Sequence, residues 1–124
     1  MSRFTVLYND NNPRRFSCYI LQCYNGKFYV GSTLTHKVQR RFEMHRDGTG
    51  SKWCRIYKPM RILHVIENLT SREAFKREDT ECVRIMREHD DIHICRGGSY
   101  NFPPDTDWWY KDFKDGAKGW IAAH

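Results

Sequence analysis

Two short runs rich in aromatic and β-branched residues lie close together near the start of the chain. They span Phe16 to Cys23 (FSCYILQC) and Lys27 to Thr33 (KFYVGST), and Asn25-Gly26 lies between them. An Asn-Gly pair between two such runs is the strongest short-range signal for a β-hairpin. A third run of the same character, Met60 to Ile66 (MRILHVI), predicts another strand.

Two other segments repeat their apolar residues at helical spacing. Thr35 to Arg46 is followed by Asp47-Gly48, which is a good helix stop, and is predicted as the first helix. The second begins at a capping box, Thr70 to Glu73, and continues to about His89. The predicted order is strand, strand, helix, strand, helix, which indicates a mixed α/β (α+β) fold. Loops are predicted at Asn9 to Pro13 and at Gly97 to Asp107.

The second predicted helix carries one carboxylate, Glu78, inside its apolar stripe. With successive residues about 100° apart around the axis, Glu78 falls within the arc of Ala74, Cys82 and Ile85. Burying an unpaired charge is very costly, so this carboxylate must be ion-paired, hydrogen-bonded or bound to a cation. A core ion pair with an arginine and a functional acid both satisfy that condition.

The first predicted helix places a cation and an imidazole on one face. Arg41 and His45 are four residues apart and border the stripe formed by Val38 and Phe42. Each has an ordinary alternative, because Arg41 fits a surface charge and His45 fits a half-buried histidine. Together with Glu78 they provide an acid, a permanent cation and a titratable group, a combination that suits phosphodiester chemistry.

Charge is distributed unevenly along the 124 residues, and this favours a polyanionic partner. The net charge is +6, from 21 Lys and Arg against 15 Asp and Glu. Residues 1–66 contribute twelve basic and three acidic groups (+9), and residues 67–124 contribute nine and twelve (−3). Nucleic acid is the commonest polyanion for such a basic half.

No apolar run approaches the roughly 18 residues of a membrane span, so no membrane partner is expected. The length suits a single domain over residues 1–124.

The cysteine pattern indicates free thiols and an intracellular location, in the cytoplasm or nucleus. Five cysteines form no CxxC pair, and the N-terminus carries no signal-peptide pattern. A structural zinc site is an alternative for one cluster near the end of the second helix, although its spacing fits no standard finger. That cluster comprises Cys82, His89, His93 and Cys95.

Six motifs, taken in order, resemble those of the GIY-YIG endonuclease family over residues 16–101. They are Cys18-Tyr19-Ile20, Tyr29-Val30-Gly31, Arg41 with His45, Gly48-x-Gly50-Ser51-x-Trp53, Ser71-Arg72-x-Ala74-x3-Glu78, and Tyr100-Asn101. The resemblance implies a small three-stranded antiparallel sheet flanked by helices. It also implies a divalent-metal-dependent endonuclease that hydrolyses DNA phosphodiester bonds by in-line attack of water, with Mg²⁺ or Mn²⁺ as the cofactor and DNA as the partner.

The resemblance further implies a role for each matching residue. Glu78 is the metal ligand, Arg41 stabilises charge on the phosphate, and one tyrosine takes the proton from water. Tyr29 is favoured as that base, with Tyr19 as a positioning group. Asn101 fixes the glutamate or a tyrosine by hydrogen bonds. The implied catalytic set is Tyr19, Tyr29, Arg41, His45, Glu78 and Asn101.

A single site containing both tyrosines constrains the hairpin. A regular two-residue turn would put Tyr19 and Tyr29 on opposite faces, because side chains alternate along a strand. A three-residue loop, formed by a type I turn closed by Gly26 in the left-handed region, pairs Cys23 with Lys27 instead. Both rings then share one face, and Tyr19 lies opposite a glycine that leaves room for its ring. The bulged hairpin is therefore predicted.

A basic and aromatic segment after the first predicted helix is the candidate nucleic-acid contact. Its members are Lys52, Trp53, Arg55, Lys58 and Arg61, joined by Arg40 on the helix. Either it grips phosphates and stacks on an unpaired base, or it is a solvated loop with one anchoring tryptophan. An inactive module that binds nucleic acid through this face is the alternative function. Because the chain has little room for a recognition domain, low sequence specificity or a targeting protein partner is expected.

Overall fold

The computed structural model describes residues 13–124, and its elements follow the predicted order with three additions. In chain order they are β1 (Phe16–Cys23), β2 (Phe28–Leu34), α1 (Val38–Asp47), α2 (Lys52–Ile56), β3 (Pro59–Leu69), α3 (Ser71–His89), β4 (Cys95–Gly97) and α4 (Gly116–Ala123). Short 3₁₀ turns occupy Tyr24–Gly26, Thr35–Lys37 and Trp108–Tyr110. The additions are α2, β4 and α4. The loop predicted at Asn9 to Pro13 lies outside the described residues except for its last member.

The four strands form one sheet in the order β3-β1-β2-β4. β1 is antiparallel to both β2 and β3, which confirms the three-stranded antiparallel sheet expected from the sequence. β4 adds a fourth strand, which is parallel to β2 and pairs with it only at Phe28, Tyr29 and Val30. The edge of β2 is therefore free of β4 from Gly31 onwards, and this opening lies beside the functional site.

The hairpin between β1 and β2 has the predicted register. Tyr19 lies opposite Gly31, and the backbone N–H of Cys23 donates to the carbonyl of Lys27 at 2.8 Å. Since Tyr29 lies opposite a residue two positions after Tyr19, the two tyrosines share one face of the sheet, as a single site requires.

The turn itself differs from the predicted type I turn. Asn25 has a φ of 62° and Gly26 a φ of 69°, so two successive residues are left-handed rather than one. Asparagine tolerates this region because its short polar side chain can hydrogen-bond locally. The backbone N–H of Tyr24 donates to the carbonyl of Lys58 at 3.0 Å, which ties the turn to the start of β3.

The sheet separates two packed layers. The first holds α3 and α4 against one face; its fully or nearly fully buried members include Cys18, Ile20, Val30, Cys82, Ile85, Met86, Ile92 and Trp120. The second holds α1 and α2 against the opposite face; its members are Tyr19, Leu21, Cys23, Tyr29, Val38, Phe42, Trp53 and Cys54. The period of two in β1 assigns alternate residues to the two layers, so both tyrosines belong to the layer of α1 and α2.

The helix signals in the sequence correspond to real helix ends. α1 is preceded by a 3₁₀ turn, so its α-helical part starts three residues later than predicted, and it ends at Gly48 with a φ of 90°. The capping box before α3 is confirmed, because the side chains of Thr70 and Glu73 each accept a hydrogen bond from the other's backbone amide. Across residues 13–124, no helix has the length and apolar character needed to cross a bilayer.

Candidate active site

Tyr19 occupies a space that exists only because its strand partner is glycine. The side chain is fully buried on the face of the sheet that packs against α1. A Cβ placed on Gly31 would lie 2.5 Å from the hydroxyl oxygen and 2.6 Å from Cζ of Tyr19. Those distances are far inside van der Waals contact. The sequence-based prediction that the missing side chain of Gly31 makes room for the tyrosine ring is confirmed.

His45, in the last turn of α1, is hydrogen-bonded at both ring nitrogens. The backbone N–H of Ser51 donates to Nδ1 at 3.0 Å, and Nε2 lies 2.9 Å from the hydroxyl oxygen of Tyr19. Because Nδ1 accepts, the proton of the neutral imidazole is on Nε2 and is donated to Tyr19. A Cβ on Gly50 would overlap the ring. The loop after α1 therefore fixes both the position and the tautomer of His45.

The two tyrosines differ in exposure and surroundings. Burial raises the pKa of Tyr19 to about 12, while a hydrogen bond from Arg41 and its positive charge lower it. Burial raises the pKa of Tyr29 further, and the nearby Tyr19 hydroxyl adds to the increase. The ring of Tyr29 lies 4.8 Å from the imidazole of His45, centroid to centroid. Tyr29 is 8% exposed whereas Tyr19 is 0% exposed, so only Tyr29 reaches solvent.

Arg41 lies among the other candidate groups and has no carboxylate partner within residues 13–124. Its positive charge lowers the pKa values of Tyr19, Tyr29 and Glu78. Its Nε atom is buried and has no hydrogen-bond partner in the described part of the chain. A buried donor of this kind costs free energy unless something accepts from it. The guanidinium is therefore placed to receive an anionic ligand.

Glu78 lies on α3 and contacts β2 at Ser32. It is 9% exposed and accepts a hydrogen bond from the Ser32 hydroxyl. Burial raises its pKa, and the hydrogen bonds from Ser32 and from the Gly98 amide oppose that increase. None of the salt bridges within residues 13–124 involves Glu78, so the alternative of a core ion pair with an arginine is wrong.

Two glycines, the last residue of β4 and the residue after it, allow the chain to pass close to this carboxylate. Gly98 has a φ of 53°, and a Cβ there would overlap the carboxylate of Asp79 and lie 3.0 Å from Cβ of Glu78. A Cβ on Gly97 would overlap the carbonyl oxygen of Val30. The sequence did not predict that the Gly98 amide and the Ser32 hydroxyl donate hydrogen bonds to Glu78. Neither residue belongs to a helical or alternating pattern.

Asn101 does not join the cluster of Tyr19, Tyr29, Arg41, His45 and Glu78. Its side chain is exposed and makes no hydrogen bond to Glu78 or to either tyrosine within the described region. Instead it lines a cavity of about 190 Å³ beside α2. The hydrogen bonds predicted for Asn101 are therefore absent, because the segment that carries it folds towards α2 rather than towards α3.

Arg96 holds that segment, and it was not identified from the sequence. Its fully buried guanidinium donates to the backbone carbonyls of Ile92, Cys95, Phe102, Pro103 and Pro104. It also lies 4.9 Å from the Trp53 ring and 5.8 Å from the Trp109 ring. Carbonyl dipoles and aromatic faces replace the usual carboxylate partner of a buried arginine. A single arginine in a three-residue strand carries no sequence signal of this role.

The basic segment begins in a short helix, α2, and ends in β3, rather than forming a loop. Ser51 caps α2 by accepting a hydrogen bond from the backbone N–H of Trp53 at 3.0 Å. Trp53 is 2% exposed and donates through Nε1 to the carbonyl of Phe28 at 2.8 Å, so it anchors α2 to β2. Arg40, Lys52, Arg55, Lys58 and Arg61 are exposed, and they remain candidate contacts to phosphate.

The zinc alternative is wrong for the described residues. Cys82 and Cys95 are fully buried in the layer of α3 and α4. The Nδ1 atom of His89 lies 2.9 Å from the carbonyl oxygen of Ile85. Anywhere in residues 13–124, no group of three or more His, Cys, Asp or Glu side chains is placed to hold a metal ion. The two cysteines therefore act as small core residues.

The mixed sheet flanked by helices is consistent with the nuclease fold that the sequence resembles. Residues 15–80, just over half of the chain, match the GIY-YIG catalytic domain. The chain belongs to the GIY-YIG family. No solved structure matches it significantly.

Several similar proteins are bacterial members of the UPF0213 group. A UPF0213 protein of Cupriavidus pinatubonensis is 38% identical over 65 residues, which are 52% of this chain and 70% of that protein. One of Cupriavidus necator is 40% identical over 60 residues, 48% of this chain and 63% of that protein. One of Xanthomonas campestris is 37% identical over 51 residues, 41% of this chain and 48% of that protein. The chain thus spans between about half and 70% of the length of these relatives.

Proposed function

We propose that this chain is a DNA endonuclease that hydrolyses phosphodiester bonds with the help of a divalent cation. The observation that carries the proposal is the occurrence of two uncompensated groups in one site: among residues 13–124, Glu78 is a buried carboxylate with hydrogen bonds but no ion pair, and Arg41 has a buried Nε without a hydrogen-bond partner. An anionic phosphate together with a cation would complement both of them at once.

The donor set suits magnesium or manganese. Mg²⁺ is commonly bound through one or two carboxylates, with water and substrate phosphate completing its shell. Glu78 supplies one carboxylate, and the Ser32 hydroxyl beside it supplies a further oxygen. When bound, the ion would polarise the phosphate and neutralise its charge. A single carboxylate is therefore sufficient, which agrees with the lack of any larger acidic cluster among residues 13–124.

Each of the remaining residues of the cluster has a separate role in the reaction. Arg41 binds phosphate oxygens and stabilises the charge that develops on them during in-line attack of water. Tyr29 takes the proton from the attacking water as its phenolate, after losing its own proton to solvent, and the positive charge of Arg41, which lowers the pKa of Tyr29, favours that form. A base must contact that water, and Tyr29 is the more exposed of the two rings. Tyr19 and His45 form a buried hydrogen-bonded pair behind it. This pair positions the Tyr29 ring and Arg41.

Cleavage of plasmid and branched DNA tests the proposal. The native chain should cut in Mg²⁺ or Mn²⁺ and not in EDTA, and Arg41→Ala should slow cleavage by about 10²-fold or more. Arg46→Ala is the matched control, since Arg46 is exposed on the same helix and is not among the candidate phosphate contacts, and it should keep most of the rate. Activity that survives EDTA would exclude the metal. Tight binding with no cleavage of any DNA would favour the inactive binding module instead.

The five cysteines suit a reducing compartment. All of them are free and buried, and thiols persist in the cytoplasm and nucleus, where reductants keep them from pairing. We therefore place the proposed activity inside the cell, on DNA, with low sequence specificity or a targeting protein to direct it.

A further inference from the structure

A cavity lies next to the catalytic cluster, between α2 and the segment from Asn101 to Pro104. Its volume is about 190 Å³. Its walls combine the aromatic side chains of Trp53 and Phe102 with aliphatic Ile56 and two prolines, while Lys52 and Asn101 supply the polar groups. Pockets that hold drug-sized ligands measure roughly 300–1,000 Å³. This cavity is smaller, so it suits a single flat ring system.

The aromatic walls are held in place before any ligand arrives. Trp53 is fixed by the hydrogen bond from its Nε1 and by the guanidinium of Arg96 against its ring. Phe102 is stacked on Trp109 at 5.4 Å and meets Trp108 edge to face at 5.1 Å, measured between ring centroids. Rigid walls lower the entropic cost of binding, because few side chains have to be ordered.

Two elements connect the walls of the cavity to the catalytic cluster. Ser51, whose amide holds His45, is the cap residue directly before Lys52. On the other side, Arg96 pairs with Tyr29 across β2 and β4. A group in the cavity would therefore be attached to DNA whose phosphate lies at Tyr29 and Arg41. The exposed ammonium of Lys52 at the rim suits an adjoining phosphate.

We infer that this cavity binds one unstacked nucleobase of the DNA next to the phosphate that is cleaved. Every base presents a π face to aromatic and apolar walls, which is how extruded bases are held in enzyme pockets. The Asn101 amide offers both donors and an acceptor to the edge of the base. The inference rests on the proposed function and extends it: the preferred substrate contains an unpaired nucleotide. It also gives the exposed Asn101 a role in binding.

Binding of two DNA duplexes that differ only in one base tests the inference. Each is a short fluorescent duplex with a single extra nucleotide, which carries adenine in one and an abasic residue in the other. Measured in EDTA, where no cleavage is expected, and at one salt concentration, the native chain should bind the adenine duplex about tenfold more tightly. Ile56→Trp should remove that preference, because a larger side chain at the rim fills the cavity.

Met60→Trp is the matched control. Ile56 is 56% exposed and Met60 is 49% exposed, so both variants should fold, which thermal unfolding checks. Met60 does not line the cavity, and its variant should keep the preference for adenine. Equal binding of the two duplexes by the native chain, or an unchanged preference in Ile56→Trp, would overturn the inference. Because binding is measured without metal, a preference for adenine would stand even if the chain never cleaved DNA.

Discussion

Glu78 and Glu81 are buried carboxylates one turn apart on α3, and their surroundings are opposite. Glu81 is 6% exposed and forms ion pairs with Arg77 at 3.2 Å and with Arg84 at 2.7 Å. Glu78 has no ion pair among the described residues, and burial raises its pKa. A sequence pattern identified only Glu78, because it lies inside the apolar stripe. The different partners of these two residues make Glu81 a natural control for Glu78.

Removing the charge of Glu78 is predicted to stabilise the protein at pH 7 when no metal is present. A raised pKa means that the folded chain holds the proton of Glu78 more tightly than the unfolded chain does. The protonated Glu78 carboxyl contributes in full to the free energy of unfolding below the ordinary carboxyl pKa. That contribution is lost as the pH rises through the raised pKa. Glu78→Gln should therefore have a larger free energy of unfolding than the native chain at pH 7, and the difference should shrink at pH 4.

Urea unfolding in EDTA at the two pH values measures this effect. Glu81→Gln should lower the free energy of unfolding at pH 7, because it leaves Arg77 and Arg84 without their shared partner. Equal destabilisation of both variants at pH 7 would contradict this prediction. It would mean that another group compensates the negative charge of Glu78 in solution.

Removal of the hydroxyl group is predicted to reduce the cleavage rate by different amounts at the two tyrosines. Tyr29→Phe should reduce the cleavage rate by about 10²–10⁴-fold, the usual contribution of a general base. Tyr19→Phe should have a smaller effect on the rate, because it removes a hydrogen-bond partner of His45 and of Arg41 but not the proposed base. Single-turnover rates between pH 6 and 9 measure both. A larger loss in Tyr19→Phe would transfer the role of base to Tyr19.

At the scale of elements, long periodic segments were predicted and short ones were not. β1, β2, β3, α1 and α3 each repeat a pattern over at least seven residues, and the capping box marks the start of α3. α2 has only five residues and β4 only three. α4 contains two glycines, which weaken any helix signal. These elements are determined by tertiary contacts, above all those of Arg96, and a local pattern does not contain that information.

Arg96 is predicted to stabilise the segment that joins β4 to the cavity. Arg96→Met removes the donors to five carbonyl oxygens, and we expect a loss of about 2–4 kcal/mol in the free energy of unfolding. Exposed Arg55→Met should change it by less than about 0.5 kcal/mol. Chemical denaturation measures both variants. A loss for Arg96→Met as small as that for Arg55→Met would show that the carbonyl contacts are not needed.

At the scale of the whole molecule, the basic first half of the chain and α3 meet at the site. The first 66 residues supply the hairpin, α1 and α2, with their excess of positive charge, and α3 supplies Glu78. The uneven charge and the identity of the clustered residues could be read from the sequence. The path of the chain around Asn101 could not, because it depends on where one buried arginine finds its carbonyl partners.

DNA binding is predicted to depend on salt through the exposed cations of α2 and its neighbours. Each phosphate contact contributes about 0.9 to the slope of log affinity against log salt concentration. The double variant Lys52→Ala with Arg55→Ala should therefore lower that slope by about two. Lys76→Ala, an exposed change on α3, should leave it unchanged. Fluorescence anisotropy at several salt concentrations measures the slope, and equal slopes for all three proteins would place the DNA on another surface.

The measurement that tests the central claim most directly is the single-turnover cleavage rate in Mg²⁺ of the native chain, Glu78→Gln and Glu81→Gln. If Glu78 is the functional acid, Glu78→Gln loses at least about 10²-fold in rate, while Glu81→Gln cleaves at close to the native rate despite its lower stability. Cleavage by Glu78→Gln at the native rate would contradict the account.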